Sequence, residues 1–287
     1  MKKKRRLKTK CKVFLLSILG ITATLLWSRY ISTSGLIIRE YKVINDKLPA
    51  SFNGLKVVHF TDTHYGRTIN NKEFKHLVDE INALKPDLIF FTGDLIDRNT
   101  VISEKIKNEL IKHLSKLKAS MGKYAVNGNH DLEFDEYNEI LNKSDFINLS
   151  NTYDVVYSKK YEPIYIAGLE SEIKGNADIK AVTEPLKTKE GKNNAKYRIL
   201  LLHTPDTLKK INNNTFNLVL AGHSHNGQVR LPFIGSIITP NGAKKYYNEY
   251  YKIDKTDLYI SGGVGTSTIN FRFFNKPSFN FYRIVNK

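Results

Sequence analysis

Residues 87–97 read Asp-Leu-Ile-Phe-Phe-Thr-Gly-Asp-Leu-Ile-Asp. Leu88, Ile89, Phe90 and Phe91 form a continuous apolar run, short and bounded by polar residues, which predicts that 87–92 is a strand buried on both faces. The run breaks at Gly93-Asp94-Leu95-Ile96-Asp97, where two carboxylates follow a residue that permits a tight turn. On the N-terminal side, Phe74, Leu77, Val78, Ile81 and Leu84 recur at helical spacing, and Pro86 stops that helix. Before it, the apolar run 55–60 ends at Asp62-Thr63-His64. On the C-terminal side, Ile106, Leu110, Leu114 and Leu117 form a second helical stripe. A third short strand, 124–126, runs into Gly128-Asn129-His130-Asp131. Strand, helix, strand, helix, strand is the rhythm of a parallel-type sheet.

Past about residue 147 the pattern changes. The segments 155–157, 164–169, 199–202, 218–220, 258–261 and 279–285 are strand-like, with few helices between them, and 37–43 adds one strand near the start. The charged stretch 174–196 reads as a surface excursion. An α/β half followed by a β-rich half predicts a four-layer sandwich, two mixed β-sheets packed face to face and flanked by α-helices.

The chain has 287 residues and one cysteine, Cys11, so an intramolecular disulfide and a cysteine-built metal site are both excluded. The net charge of +17 invites a nucleic-acid reading. Eight of those charges lie within residues 2–12, however, and no basic stripe with interleaved aromatics follows, so no nucleic-acid partner is expected. After the basic run, 13–28 carries no charged residue and is rich in Leu, Ile and Phe. Lys12 and Arg29 can lengthen this short span by snorkelling, and Trp27 and Tyr30 suit the membrane–water interface. Residues 1–30 are therefore expected to be a basic tail and an uncleaved, single-pass signal anchor, 31–54 a juxtamembrane segment, and 55–287 the main domain. The positive-inside rule places 1–12 in the cytoplasm and the domain outside it.

Five polar clusters follow predicted strands: Asp62-Thr63-His64, Gly93 to Asp97, Gly128 to Asp131, His203, and Gly222-His223-Ser224-His225. In open α/β sheets, ligands bind beyond the carboxyl ends of strands. In extended chain, side chains at i and i+2 share a direction, so Asp62 and His64 are expected to share one metal and His223 and His225 likewise. Imidazole, carboxylate and amide oxygen suit Mn, Fe or Zn. Singly, each cluster is an ordinary turn, cap or core histidine. Jointly they hold five of the eight histidines. His59, His76 and His113 fall inside a strand or on helices and are given no role.

In this order the clusters resemble the calcineurin-like metallophosphoesterases, and Gly222 to Pro232 with Ser261 to Ser267 looks like the membrane-associated YkuE/YaeI-type branch. The resemblance implies a dinuclear phosphoesterase. One divalent ion would be held by Asp62, His64, Asp94 and His225. The other would be held by Asp94, Asn129, His203 and His223, with Asp94 bridging. A water activated between the ions would attack phosphorus. His130 would contact the phosphoryl group and protonate the leaving group, Asp131 would orient His130, and Asp97 would support a ligand. Arg230 and Asn226 lie near the last motif as candidate substrate contacts. A phosphodiesterase or pyrophosphatase acting on a membrane- or envelope-associated, lipid-linked substrate is the leading expectation. A phosphomonoesterase or protein phosphatase shares the same core, and a tethered non-catalytic module is the remaining alternative.

Overall fold

The computed structural model describes residues 9–187 and 194–287. Among the described residues, fourteen strands form two six-stranded sheets and a small hairpin. In chain order they are β1 (Ile37–Ile44), β2 (Leu55–Phe60), β3 (Leu88–Phe91), β4 (Gly122–Ala125), β5 (Ile147–Asn148), β6 (Thr152–Tyr157), β7 (Pro163–Gly168), β8 (Tyr197–Leu202), β9 (Leu218–Ala221), β10 (Arg230–Leu231), β11 (Gly235–Ser236), β12 (Tyr250–Ile253), β13 (Thr256–Ile260) and β14 (Ser278–Val285). The first sheet has the order β1-β14-β2-β3-β4-β5, and the second β12-β13-β9-β8-β7-β6. Both are mixed: β14 runs antiparallel to β2, β12 antiparallel to β13 and β6 antiparallel to β7, whereas β2, β3, β4 and β5 are parallel, as are β7, β8, β9 and β13.

Three apolar layers separate the elements. Val57, Leu88, Phe90 and Tyr124 of the first sheet meet Ile166, Ile199, Leu201 and Leu220 of the second. On the other face of the first sheet, Val58, Ile89 and Phe91 pack on α2 (Asn71–Ala83), α3 (Glu104–Leu114) and α4 (Tyr137–Lys143). The outer face of the second sheet is covered more thinly, by Val182 of α5 (Ile179–Thr183), the 3-10 turn Pro205–Lys210 and the loops around Phe216 and Tyr246. This is the four-layer α/β sandwich expected from the sequence.

Local chemistry places the helices. Asn70 caps α2 by accepting from the Lys72 N–H, and Glu73 reaches back to the Asn70 N–H. Ser103 caps α3. Phe74, Leu77, Val78 and Ile81 point inward from α2, the stripe read from the sequence. The segment 31–54 does more than enter the domain. Its β1 pairs in parallel with all eight residues of β14, from Ile37 beside Ser278 to Ile44 beside Val285.

The first element is α1 (Thr9–Leu26), continued by a π-helical turn, Trp27–Ile31. Residues 9–31 form one helix long and apolar enough to cross a membrane. No residue of α1 is buried against the domain. The end of this helix meets the domain. The Ser28 carbonyl accepts from the Arg272 N–H at 3.1 Å, and Trp27 packs on Phe273 and Phe274 at centroid distances of 5.6 and 6.2 Å.

Candidate metal centre

The carboxyl ends of β2, β3, β4, β8 and β9 meet along one rim. Asp62 and His64 follow β2, Asp94 follows β3, Asn129 and His130 follow β4, His203 follows β8, and His223 and His225 follow β9. All are buried, with at most 9% of any of them exposed. Asp62, His64, Asp94, His223 and His225 have φ between 42° and 66°, the left-handed region that non-glycine residues seldom occupy. Five such residues at one rim mark a site where backbone strain is tolerated for side-chain placement. They also correct the expectation from extended chain. Asp62 and His64 do converge, but through a left-handed turn. His223 and His225 do not share a target: His225 faces Asp62 and His64, while His223 faces Asp94 and His203.

Two donor clusters result. In the first, His64 Nε2 lies 3.2 Å from His225 Nε2, and Asp62 Oδ1 lies 3.8 and 3.3 Å from those two nitrogens. In the second, His203 Nε2 lies 3.3 Å from Asp94 Oδ2, 3.1 Å from Asn129 Oδ1 and 3.1 Å from His223 Nδ1. Asp94 Oδ2 also stands 3.7 Å from His64 Nε2, so it lies between the clusters.

The donor set fits metal ions on two grounds. Asp62 Oδ2 is occupied, accepting from the Thr61 hydroxyl and the His223 N–H, while the buried Oδ1 has no hydrogen-bond partner among the described residues. Moreover, in the second cluster the outer ring nitrogens of His203 and His223 are tied elsewhere. His203 Nδ1 donates to the Thr92 carbonyl at 2.7 Å, and His223 Nε2 to the Asn241 carbonyl at 2.6 Å. Each bond holds its ring by the outer nitrogen and turns the inner nitrogen toward the cluster, as outer partners do for metal-bound histidines. The 3.2 Å gap between the His64 and His225 nitrogens suits two ligands of one ion at about 2.0–2.1 Å each.

The electrostatics match. Burial pushes the His64 ring down to about 3 and the His223 ring to about 4, so both are neutral ligands. Burial also works against charge on His203, but the Asp94 carboxylate beside it prevails and lifts the ring to about 9, so without an ion this ring keeps a proton that a bound ion would displace. Asp94 is held well below the usual carboxylate range despite its burial, chiefly by His203.

Close approach is enforced by glycine. A Cβ on Gly128 would stand 2.3 Å from Asp94 Oδ1 and 2.5 Å from the Asp94 nitrogen. Asp131 does not orient His130 as expected from the sequence. Its two oxygens accept the N–H groups of Asp94, Leu95 and Gly128 at 2.7–2.8 Å. It thereby fastens the β3 loop to the β4 loop. Asp97 lies 3.9 Å from His64 Nδ1, too far for a hydrogen bond, and pairs with Arg67 at 3.4 Å. Arg230 donates to the Asn226 carbonyl and to Asn248, away from the clusters. Asn226 is buried with no side-chain hydrogen bond among the described residues.

Two arginines escape the sequence reading. The Arg98 N–H donates to His130 Nδ1 at 3.2 Å, and its guanidinium lies 3.0 Å from His130 Nε2. Its place directly after Asp97 is the only sequence signal. Arg272 is fully buried and donates to the carbonyls of Gly262, Gly263 and Gly265, beside His225. Its flanking residues, Phe271 and Phe273, belong to none of the polar clusters.

A buried double cluster of histidine and carboxylate at the joined rims of two sheets is the metal-binding arrangement of a phosphoric-ester hydrolase. The chain belongs to the calcineurin-like phosphoesterase family, whose family model matches residues 55–227. It is 31% identical to the uncharacterized metallophosphoesterase YkuE of Bacillus subtilis (strain 168), over 90% of this chain and 88% of that one. It is 24% identical to the UDP-2,3-diacylglucosamine pyrophosphatase LpxG of Chlamydia muridarum, over 92% of this chain and 96% of that one. Among solved structures, TT1561 of Thermus thermophilus aligns with a TM-score of 0.48 and 12% identity, over 74% of this chain and 91% of that one.

Proposed function

We propose that the protein is a phosphodiesterase or pyrophosphatase, tethered to the membrane by residues 9–31, that hydrolyses a phosphoester held at the membrane surface. The placement of Asp94 between two donor clusters, with His130 and Arg98 beside it, carries the reading.

Asp62, His64, Asp94 and His225 would hold one divalent ion, and Asp94, Asn129, His203 and His223 the other. Bound there, Mn, Fe or Zn would supply positive charge to the phosphoryl oxygens and acidify a water. The chain supplies the rest. A neutral His130 ring accepts at one nitrogen only; in this reading Nδ1 accepts from the Arg98 N–H and the proton sits on Nε2. That N–H and the Arg98 guanidinium, 3.0 Å apart, are both donors and would meet on one anionic oxygen. His130 is thus placed to donate to the leaving oxygen. Asp131 keeps the two loops that carry Asp94 and His130 in register.

A cavity of about 360 Å³ opens over His130, His223 and His225. Its lining also includes the apolar side chains of Val229, Ile237, Ile238 and Ile269. A lining that combines Arg98 and His130 with apolar side chains suits a phosphoester with a lipid portion, and the LpxG relative is named for a diacylated substrate. The basic run within residues 2–12 supports a cytoplasmic tail and an outward-facing domain.

The test uses the full chain in detergent, stripped of metal and re-supplied with Mn, Fe, Zn or Mg. Hydrolysis of bis-p-nitrophenyl phosphate is compared with that of p-nitrophenyl phosphate. Metal-dependent turnover favouring the diester, and lost in Asp94→Asn, is expected. A preference for the monoester would move the reading to a phosphomonoesterase. Stoichiometric metal binding without turnover of either ester would favour a tethered binding module.

A further inference from the structure

The hairpin β10–β11 and the segment just after it carry a cluster of exposed apolar side chains on the folded domain. Phe233 at the tip is fully exposed, and Ile234, Ile237 and Ile238 are 74%, 54% and 76% exposed. Apolar groups displayed together in this way mark an interaction surface.

The contacts of this hairpin say what covers it. At its root, the Arg230 N–H donates to the Phe273 carbonyl at 2.9 Å, and the Phe273 N–H donates to the Gln228 carbonyl at 3.1 Å. Phe273 and Phe274 are in turn the residues against which Trp27 packs, at the end of the apolar helix. Phe274, itself 60% exposed, shares a surface cleft with Phe233 and Ile234. Trp27, with exposed Tyr30 one turn on, sits where a spanning helix leaves the hydrocarbon for the headgroups. One continuous set of contacts therefore runs from the interfacial end of the anchor, through Phe273 and Phe274, to the hairpin. The same hairpin supplies Ile237 and Ile238 to the wall of the cavity over the metal centre. Lys244 adds positive charge at this edge, with its amino group on the Thr239 carbonyl.

We propose that the segment 231–238 is a second membrane contact, dipping its apolar tip into the bilayer so that the cavity mouth opens against the lipid surface. The inference rests on the anchor reading above. Exposed aromatic and aliphatic side chains of this kind, with the Lys244 amino group near by, suit the headgroup–acyl boundary. A phosphoester at that depth would reach the cavity with its acyl part along Ile237, Ile238 and Ile269, and with its phosphate toward His130.

The test reads depth rather than catalysis. The chain has one tryptophan, so Trp27→Phe provides a silent background. In that background, full-length Phe233→Trp and, separately, Tyr161→Trp are reconstituted into vesicles of phosphatidylethanolamine and phosphatidylglycerol, with and without brominated acyl chains. Tyr161 is 85% exposed and precedes β7, at the end of the sheet opposite the metal centre. Phe233→Trp is expected to lose most of its emission to brominated lipid and to resist aqueous iodide, whereas Tyr161→Trp is expected to do the reverse. Ile234→Trp repeats the measurement should Phe233→Trp misfold. Iodide quenching of both hairpin reporters, with no effect of bromine, would overturn the proposal. Shielding from both quenchers would also overturn it, because it would place a second copy of the chain over the hairpin. Since no outcome depends on turnover, loss of the lipid contact and loss of the phosphodiesterase reading are separable results.

Discussion

Arg98 engages both ring nitrogens of His130: its backbone N–H lies 3.2 Å from Nδ1 and its guanidinium 3.0 Å from Nε2. The backbone contact survives any side-chain change, so the tautomer of His130 should persist in Arg98→Ala while the paired cation is lost. That variant is expected to lower kcat on bis-p-nitrophenyl phosphate by roughly 10–100-fold, the cost typical of removing an outer partner at a metal site. Metal stoichiometry should stay intact, and Arg98→Lys should recover part of the loss. Unchanged turnover in Arg98→Ala would remove the guanidinium from the mechanism.

Asp131 serves three backbone N–H groups with two oxygens. In Asp131→Asn one oxygen becomes an amide that also donates, which leaves at least one buried N–H facing another donor. A destabilisation of about 2–4 kcal/mol is expected from the unmet group and the lost charge-assisted bonds. Denaturant melts of the metal-free protein would show it. If Asp131 acted mainly on His130, activity would fall with little change in the melt.

Gly128→Ala sets a Cβ 2.3 Å from an oxygen of the Asp94 carboxylate and 2.5 Å from its backbone nitrogen. Backbone cannot yield as a flexible side chain can, so the β3 and β4 loops must part. We expect the variant to fold but to bind fewer than two ions per chain, measured by elemental analysis after gel filtration. Full occupancy would show that the loops have slack that the packing does not suggest.

The metal-free protein should weaken in acid. Burial pushes His59 and His64 down to about 3 and His223 to about 4, and it also lowers His130 and His225. Between those values and 6.5 the unfolded chain binds protons that the folded chain refuses, so stability rises with pH across that window and is lost as pH falls. Asp62 and Asp131, raised by burial to about 6 and about 7, act in the opposite sense, since folding then favours their protonated forms. Five histidines outweigh two carboxyls. Each net proton is worth about 1.4 kcal/mol per pH unit. Chelated protein is therefore expected to lose its denaturation midpoint steeply from pH 6.5 to 4.5. Added metal at pH 7 should raise the midpoint in proportion to the logarithm of its concentration. A flat profile in the chelated protein would show that the rings are hydrated in solution.

Much of this arrangement is legible from residue types alone. The apolar run that forms β2 has the expected bounds, and β3, β8, β9 and β14 differ from the expected segments by one or two residues at an end, because continuous apolar runs bounded by polar clusters leave little choice of register. The positions of Asp62, Asp94, Asn129 and His203 at strand ends follow from the same pattern. What sequence periodicity does not supply is the backbone between them. The left-handed turns that send His223 and His225 to different clusters carry no period, and they replace the extended geometry on which the pairing rests. Arg98 and Arg272 are invisible for a related reason. Each acts through contacts to backbone or ring atoms distant in sequence, and a solitary arginine in a basic chain carries no signal of its own. The short strand β12 and the hairpin β10–β11 escape as well, because two- to four-residue strands rich in Tyr, Arg and Gly lack a recognisable alternation.

The β1–β14 pairing also bears on how the molecule is made. β14 lies between β1 and β2, inside the first sheet, yet it comes from residues 278–285. A nascent chain that has delivered Asp62 and Asp94 still lacks the strand that joins β1 to β2, so that sheet must wait, open at one seam, until those late residues have emerged. Throughout that wait β1 and β2 each keep an unpaired edge open to whatever chaperones or proteases the chain meets.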